Sequence, residues 1–260
     1  MDKIILLDRN VISKCNDLLN KKKVDQNIKR ELRRLNQPNI FISPLLSILE
    51  GSKGINETIK EKELTIKKET SIVKHFFKKA KHDAIFLNEN IEEFSKIFAE
   101  SELEDKANDY RNFIKEINSK LFQRVKAEKR EIVENEIRDI AKKYDIDQQH
   151  LVVISALELL YGNDNIGYIF KFKKNISEGE LEKLAYNAYS DIISGVRIAK
   201  IKEIIQNKYN QKIEVEYFSF DKALVIFLNE LKISYKTLDD EYGEVSITFK
   251  KNCYQPMCAI

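Results

Sequence analysis

The chain has 260 residues, 43% of them hydrophobic and 33% charged, and its 45 Lys+Arg against 42 Asp+Glu leave a formal charge of +3. A chain of that length buries a sizeable core in one or two domains, and a balance so near neutrality excludes an indiscriminate polyanion binder held by bulk charge. Seven Gly, three Pro and no Trp favour long helices over a turn-rich β fold, and no apolar run approaches the ~18 residues of a membrane span.

In chain order, Lys3 to Ser13 reads KIILLDRNVIS. Four consecutive apolar residues, Ile4 to Leu7, are too few for a buried helix and suit a strand covered on both faces. The run stops at Asp8, and Val11, Ile12, Cys15, Leu18 and Leu19 follow at helical spacing. A carboxylate at the carboxyl end of a first parallel strand sits where α/β sheets place ligands and chemistry. Lys21 to Lys23 make a polar turn. Val24, Ile28, Leu32 and Leu35 then recur with Lys29, Arg30, Arg33 and Arg34 between them, which is an amphipathic helix with a basic outer face. Ile40 to Ile42 is a second short strand. Ser43 is expected as N-cap and Pro44 as first residue of a short helix, Leu45 to Glu50, ended by Gly51.

From Ile55 to about Tyr161 the pattern is almost wholly helical, with stretches at Ile55–Lys81, Ile91–Phe98, Leu103–Tyr144 and Gln149–Tyr161, the last closed by Gly162. Phe76 and Phe77, beside Lys78 and Lys79, are expected to face the core. Gly167 to Lys171 reads as a short strand or a loop. Leu181, Leu184, Ala185, Ala188, Ile192, Val196, Ala199, Ile204 and Ile205 mark the buried face of a further helix, with Asp191 in its middle. Ile213 to Phe218 reads as a strand leading through Ser219 and Asp221 into an apolar helix from Ala223 to Leu231. Ile233 to Tyr235 is expected as a last parallel strand and Val245 to Phe249 as an edge strand.

Four acids stand against apolar surroundings near a strand end or in a core-facing helix: Asp8, Glu50, Asp191 and Asp221. A lone buried carboxylate is costly unless paired or metal-bound, and several converging ones are neutralised by a divalent cation with hard oxygen ligands. Asp8 and Asp221 share one context, an apolar strand leading through an acid into a helix. In a parallel sheet both would project at the same edge. His75, His82 and His150 show no metal-ligand pairing. Cys15, Cys253 and Cys258 fit neither a disulfide framework nor a metal knuckle, and nothing at the start reads as a leader, so a reducing, cytoplasmic setting is expected.

The order LLDRNVIS, ISPLLSILEG, AYNAYSD and FSFDKAL resembles the PIN-domain nucleases and their PIN-like relatives. Their pattern has Asp-x-Asn after the first strand and Glu in the helix after the second. A third Asp lies in a helix, and Ser/Thr-x-Asp follows the fourth strand. Residue by residue, the resemblance implies Asp8 with Asn10, Glu50, Asp191, and Ser219 with Asp221. Asp147 is the alternative third acid. Arg9 stands where the family usually has a small residue, and the gap from Glu50 to Asp191 is longer than in compact members.

The resemblance implies an α/β fold, a short parallel sheet flanked by helices, with the core at 1–54 and 180–238. A predominantly helical insertion would occupy 55–179, and an edge strand and tail 239–260. It further implies a metal-dependent endoribonuclease in which Asp8, Glu50, Asp191 and Asp221 bind Mg²⁺ or Mn²⁺ and Asn10 and Ser219 support them. Arg9, Lys29, Arg30, Arg33 and Arg34 would contact an RNA substrate, and the helical insertion would offer a surface for substrate or a protein partner. A prokaryotic toxin or defence role fits such a protein by analogy. Two other readings stand beside this one. The chain could be a PIN-like module that binds RNA or protein without turnover, or a phosphatase of the haloacid dehalogenase type, which wants Asp-x-Asp where this chain has Asn10.

Overall fold

The structure, a computed structural model, describes residues 3–51, 57–99, 106–209, 213–237 and 243–250. It is a mixed α/β protein, 67% helical, with a small parallel sheet flanked by helices. The chain divides into two compact units: Met1–Glu102 with Arg197–Val225, and Leu103–Val196 with Ile226–Ile260. Among the described residues no helix is long and apolar enough to cross a membrane.

The first unit is built on four parallel strands, β1 (Lys3–Leu7), β2 (Phe41–Ser43), β3 (Lys81–His82) and β4 (Glu214–Phe218), in the order β3-β2-β1-β4. Strand β1 is central because it alone is apolar at four successive positions. Ile4 to Leu7 are each at most 4% exposed, and full burial of one such side chain is worth roughly 1.5–3 kcal/mol. Around the sheet run α1 (Arg9–Leu19), α2 (Gln26–Leu35), α3 (Leu45–Glu50), α4 (Ile59–Phe76), α5 (Ala84–Glu89) and α6 (Ile91–Ala99). Ile5 and Leu7 share one buried cluster with Val11, Ile12 and Cys15 of α1, Leu32 of α2, Val73 of α4, and Phe77. Phe77 is fully buried, as expected, and Phe76 packs partly buried against the same cluster.

Helix α4 ends sooner than its periodicity predicts, and a strand appears where the expected helix would run on to Lys81. The Asn36 side chain accepts from the Lys79 and Ala80 amides at 2.9 and 3.1 Å. The Lys81 amide donates to the Ile40 carbonyl at 3.0 Å, which starts β3 alongside β2. The expected helix start at Ile55 lies outside the described residues, as does that at Leu103 and as do Cys253 and Cys258. Helices α4, α5 and α6, grouped by the sequence reading with the helical insertion, fall in the first unit.

The second unit contains α7 (Ala107–Leu121), a 3-10 turn (Ala127–Lys129), α8 (Arg130–Lys143), α9 (Leu151–Tyr161) and α10 (Asp164–Phe170). Two of the three divisions between the units fall inside α11 (Glu178–Tyr209) and α12 (Lys222–Glu230). The single helix expected over Leu103–Tyr144 is two, and the second folds back on the first. Lys120 pairs with Glu136 at 2.9 Å and Lys143 with Glu116 at 2.7 Å, which is antiparallel register. Gly167–Phe170 is neither strand nor loop but the second half of α10, which Lys171 caps in the left-handed conformation, with Ile166, Ile169 and Phe170 buried. Ile233–Tyr235 does form a strand, β5 (Leu231–Thr237), but it is antiparallel to β6 (Gly243–Phe249) in a separate hairpin.

A buried polar seam ties α3 to α4. Lys62, 3% exposed, pairs with buried Glu57 at 3.1 Å and donates to the Ile48 carbonyl at 2.9 Å, filling an acceptor at the open end of α3. Thr65 donates to the other Glu57 oxygen at 2.9 Å. Gly51 closes α3 at φ 77°, where a Cβ would also meet the Glu57 carboxylate at 3.1 Å, so both backbone and space demand glycine. Lys62→Met should lower stability by about 3–5 kcal/mol, because it strands a buried carboxylate. Adding Glu57→Gln should recover part of that loss. Urea midpoints of the three proteins check this, and a double variant no more stable than Lys62→Met would refute the pairing.

Candidate functional site

The carboxyl ends of the parallel strands carry the polar cluster. Strand β4 runs beside β1 with Leu7 opposite Phe218, and the pairing continues past both strands, since the Asp8 amide donates to the Phe218 carbonyl at 3.0 Å. Asp8 stands at the N-cap of α1 but makes no side-chain cap bond. Its Oδ2 instead accepts from Asn10 Nδ2 at 2.5 Å and from Ser219 Oγ.

Asn10 holds the loop after β4 on three sides. It donates to Asp8, donates to Ser219 Oγ at 2.8 Å, and accepts from the Phe220 amide at 3.1 Å. Ser219 Oγ also accepts from the Asp221 amide at 3.0 Å. Asp221 Oδ1 accepts from the Ala223 and Leu224 amides at 2.9 and 3.2 Å, an N-cap for α12. The sequence pairing of Asp8–Asn10 with Ser219–Asp221 is therefore one hydrogen-bonded cluster in space.

Asp8 is 6% exposed, and burial holds its carboxyl above the usual carboxylate range. The Ser219 hydroxyl, Tyr217 and the Arg9 amide oppose that rise, while the Asp221 charge adds to it. Tyr217, opposite Leu6 in the ladder, brings a buried hydroxyl near the same carboxylate but outside strict hydrogen-bond geometry. Burial first and the Asp8 charge second push its phenol upward.

The other expected residues are placed as follows. Glu50 ends α3, half-buried, and its charge acts on Tyr217 and on Glu69. Asp191 lies half-buried in the part of α11 that belongs to the second unit, and Asp147 is also in that unit, bonded to the Gln149 amide at 2.6 Å. Arg9 is half-buried in the first turn of α1, and its charge acts on Glu69. On α2, Lys29 is half-buried and Arg30, Arg33 and Arg34 are exposed, with Arg34 paired to Glu31 at 3.2 Å. Arg33 and Arg34 sit in the last turn of α2, which delivers the chain to the amino end of β2. That is the sheet edge opposite Asp8.

One acid was missed. Asp83 follows β3 directly, at the same edge as Asp8 and Asp221, and precedes α5. Two strand spacings separate it from β1, roughly 10 Å. Ser43, the last residue of β2, donates to Asp83 at 2.6 Å while its Oγ accepts from the Leu45 amide at 3.2 Å; it stands one residue before the N-cap, which is Pro44 and not Ser43 as expected, because β2 holds Ser43 in the strand. The other Asp83 oxygen is buried without a partner. Burial raises its pKa to about 7 against the pull of Ser43. Glu69 of α4 is a second such group, its pKa raised by burial to about 7, with Ser47 and Arg9 opposing. The signal for Asp83 was the same strand–acid–helix order, hidden because two residues, one of them an exposed lysine, show no strand pattern.

Among the described residues no three His, Cys, Asp or Glu side chains are grouped closely enough to hold one metal ion. Of the four expected acids, Asp8 and Asp221 share the cluster, Glu50 lies elsewhere in the first unit and Asp191 in the second; Asp83 is a further acid of the first unit. The Asp8–Asp221 pair still suits a hard cation. Its donors are carboxylate and hydroxyl oxygens without thiolate or imidazole, and Mg²⁺ is commonly held by one or two carboxylates with substrate phosphate completing the shell.

Family models, curated proteins and solved structures were compared with the chain, and none matches.

Asp83 and Glu69 make stability depend on pH. Folded, each keeps its proton to about pH 7, whereas unfolded carboxyls release theirs near 3.8 and 4.5. The folded state binds more protons across that window, so stability is full below about pH 4 and falls as pH rises to 7. Asp83→Asn should flatten part of this fall and leave the variant at least as stable as wild type at pH 8. Urea midpoints at pH 4 and 8 read it directly, and an unchanged slope would mean Asp83 titrates normally.

Proposed function

We propose that the chain is a PIN-like nuclease that hydrolyses phosphodiester bonds with a divalent cation held at Asp8 and Asp221. The observation that carries this reading is the hydrogen-bonded union of Asp8 and Asn10 with Ser219, beside Asp221, at the carboxyl ends of two adjacent parallel strands. RNA is the substrate that the family resemblance implies.

Asp8 and Asp221 bring negative oxygens to the end of β1 and β4. Bound there, Mg²⁺ or Mn²⁺ would lower the pKa of a coordinated water and offset charge on the scissile phosphate. Asn10 and Ser219 both donate to one Asp8 oxygen, which fixes the carboxylate's rotation. Burial favours the protonated acid at Asp8, so a cation bound there would displace its proton and would be held more tightly as pH rises. We assign the third acid to Asp83 in preference to Asp191, because it ends a strand of the same sheet. Glu50 and Asp83 would then serve to orient the attacking water or a substrate phosphate from the flank.

The test is cleavage of labelled single-stranded RNA with Mn²⁺. Ser219→Ala should reduce the rate by about 10–100-fold, the usual cost of losing a group that positions a ligand, and Asp8→Asn by more. Equal cleavage by wild type and Asp8→Asn, or no cleavage by wild type with the cation present, would overturn the reading.

A further inference from the structure

One strongly basic feature of the first unit plays no part in the cluster just described. From Lys67 to Lys81, α4 and the turn after it expose Lys67, Lys68, Lys74, Lys78, Lys79 and Lys81, and the one acid in that stretch, Glu69, is buried. Between α4 and α5 lies a groove of about 300 Å³. Lys67, Lys74 and His75 line its α4 wall, and Ile85, Asn88 and Glu89 its α5 wall. Lys67 and Lys74 are seven residues apart, which puts them on one helix face about 10.5 Å apart along the axis. Each can therefore meet a different phosphate. Among the described residues neither lysine makes an ion pair, so no partner must be displaced.

The α5 wall supplies apolar surface beside the charge. Ile85, in that wall, is 49% exposed. Lysines spaced along a groove with apolar surface beside them suit a single strand, whose phosphates find the cations while its bases meet the apolar wall. The groove also reaches the sheet edge, since Ala84, which lines it, follows Asp83.

We propose that the groove between α4 and α5 binds the phosphate backbone of a single-stranded nucleic acid and leads it towards the carboxyl edge of the sheet. The choice of a nucleic acid over another polyanion rests on the nuclease reading. Binding of a labelled single-stranded RNA oligonucleotide to the full chain, in EDTA so that nothing is cut, is followed by anisotropy from low to high salt. Lys67→Ala/Lys74→Ala should weaken binding by roughly five- to tenfold and reduce the slope of log affinity against log salt by about 1.4, two phosphate contacts on a single strand. Ile85→Ala should weaken binding and leave the slope unchanged, since it removes apolar surface and no charge. Lys126→Ala/Lys129→Ala removes the same charge from the second unit and should change neither.

Wild-type affinity in Lys67→Ala/Lys74→Ala, or an equal loss in the control pair, would overturn the proposal. A parallel cleavage assay with Mn²⁺ separates the two readings. Strands bound through the groove and never cut refute the nuclease and leave the groove. Strands cut by wild type and bound equally by the groove variant refute the groove alone.

Discussion

The Asp8–Asn10–Ser219 hydrogen bonds close a loop of more than two hundred residues, and the order of the first unit depends on that closure. Loop entropy grows only slowly with length, so the five-residue ladder of β1 with β4 and the burial of Phe218 and Phe220 against the core are of the right kind to offset it. What the ladder cannot settle alone is register. Slipping β4 by one residue would exchange Tyr217 and Phe218 across the sheet and carry Ser219 away from Asp8. Asn10, bonded both to the Ser219 hydroxyl and to the Phe220 amide, accepts one register and rejects its neighbours.

The unit handles its buried charges in two ways, and the contrast bears on function. Where a charge serves packing, a counter-charge is supplied. Glu57 has Lys62, and Lys62 in turn meets a carbonyl at the end of α3. At the strand ends the partners are neutral. The groups that oppose the rise of Asp8 are a serine hydroxyl, a tyrosine and a backbone amide, and the hydrogen-bond partner of Asp83 is the Ser43 hydroxyl. Neutral donors orient a carboxylate without removing its appetite for a cation. Two raised carboxyls, Asp8 and Asp83, thus lie at the carboxyl edge of the sheet.

Much of this was legible in the sequence where a local pattern had one physical solution. Four apolar residues in Ile4–Leu7 could only be an interior strand, and Gly51 and Gly162 end α3 and α9 with positive φ, as helix stops should. Asp8 and Asp221 announced each other through their shared strand–acid–helix context. The misses share a different cause. The turn between α7 and α8 contains neither Gly nor Pro, so Leu121 and Val125 carry an unbroken period across a reversal that only the Lys120–Glu136 and Lys143–Glu116 pairs reveal. Strand β5 was visible as a strand, but its partner was not, because alternation says nothing of whether a neighbour runs parallel or antiparallel.

Asp191 and Asp83 show most sharply what chain order can and cannot convey. Asp191 drew attention because its helix runs directly into the strand before Ser219. A mid-helix position fixes only which face of its helix a residue shares. Asp83 occupies an unremarked stretch of lysines, but it stands one residue beyond a parallel strand. That address is set by the sheet, because β3 pairs with β2 and β2 with β1. For an acid in a parallel α/β sheet, the step from strand end to helix start is therefore a stronger predictor of place than proximity along the chain, even when the strand is only two residues long.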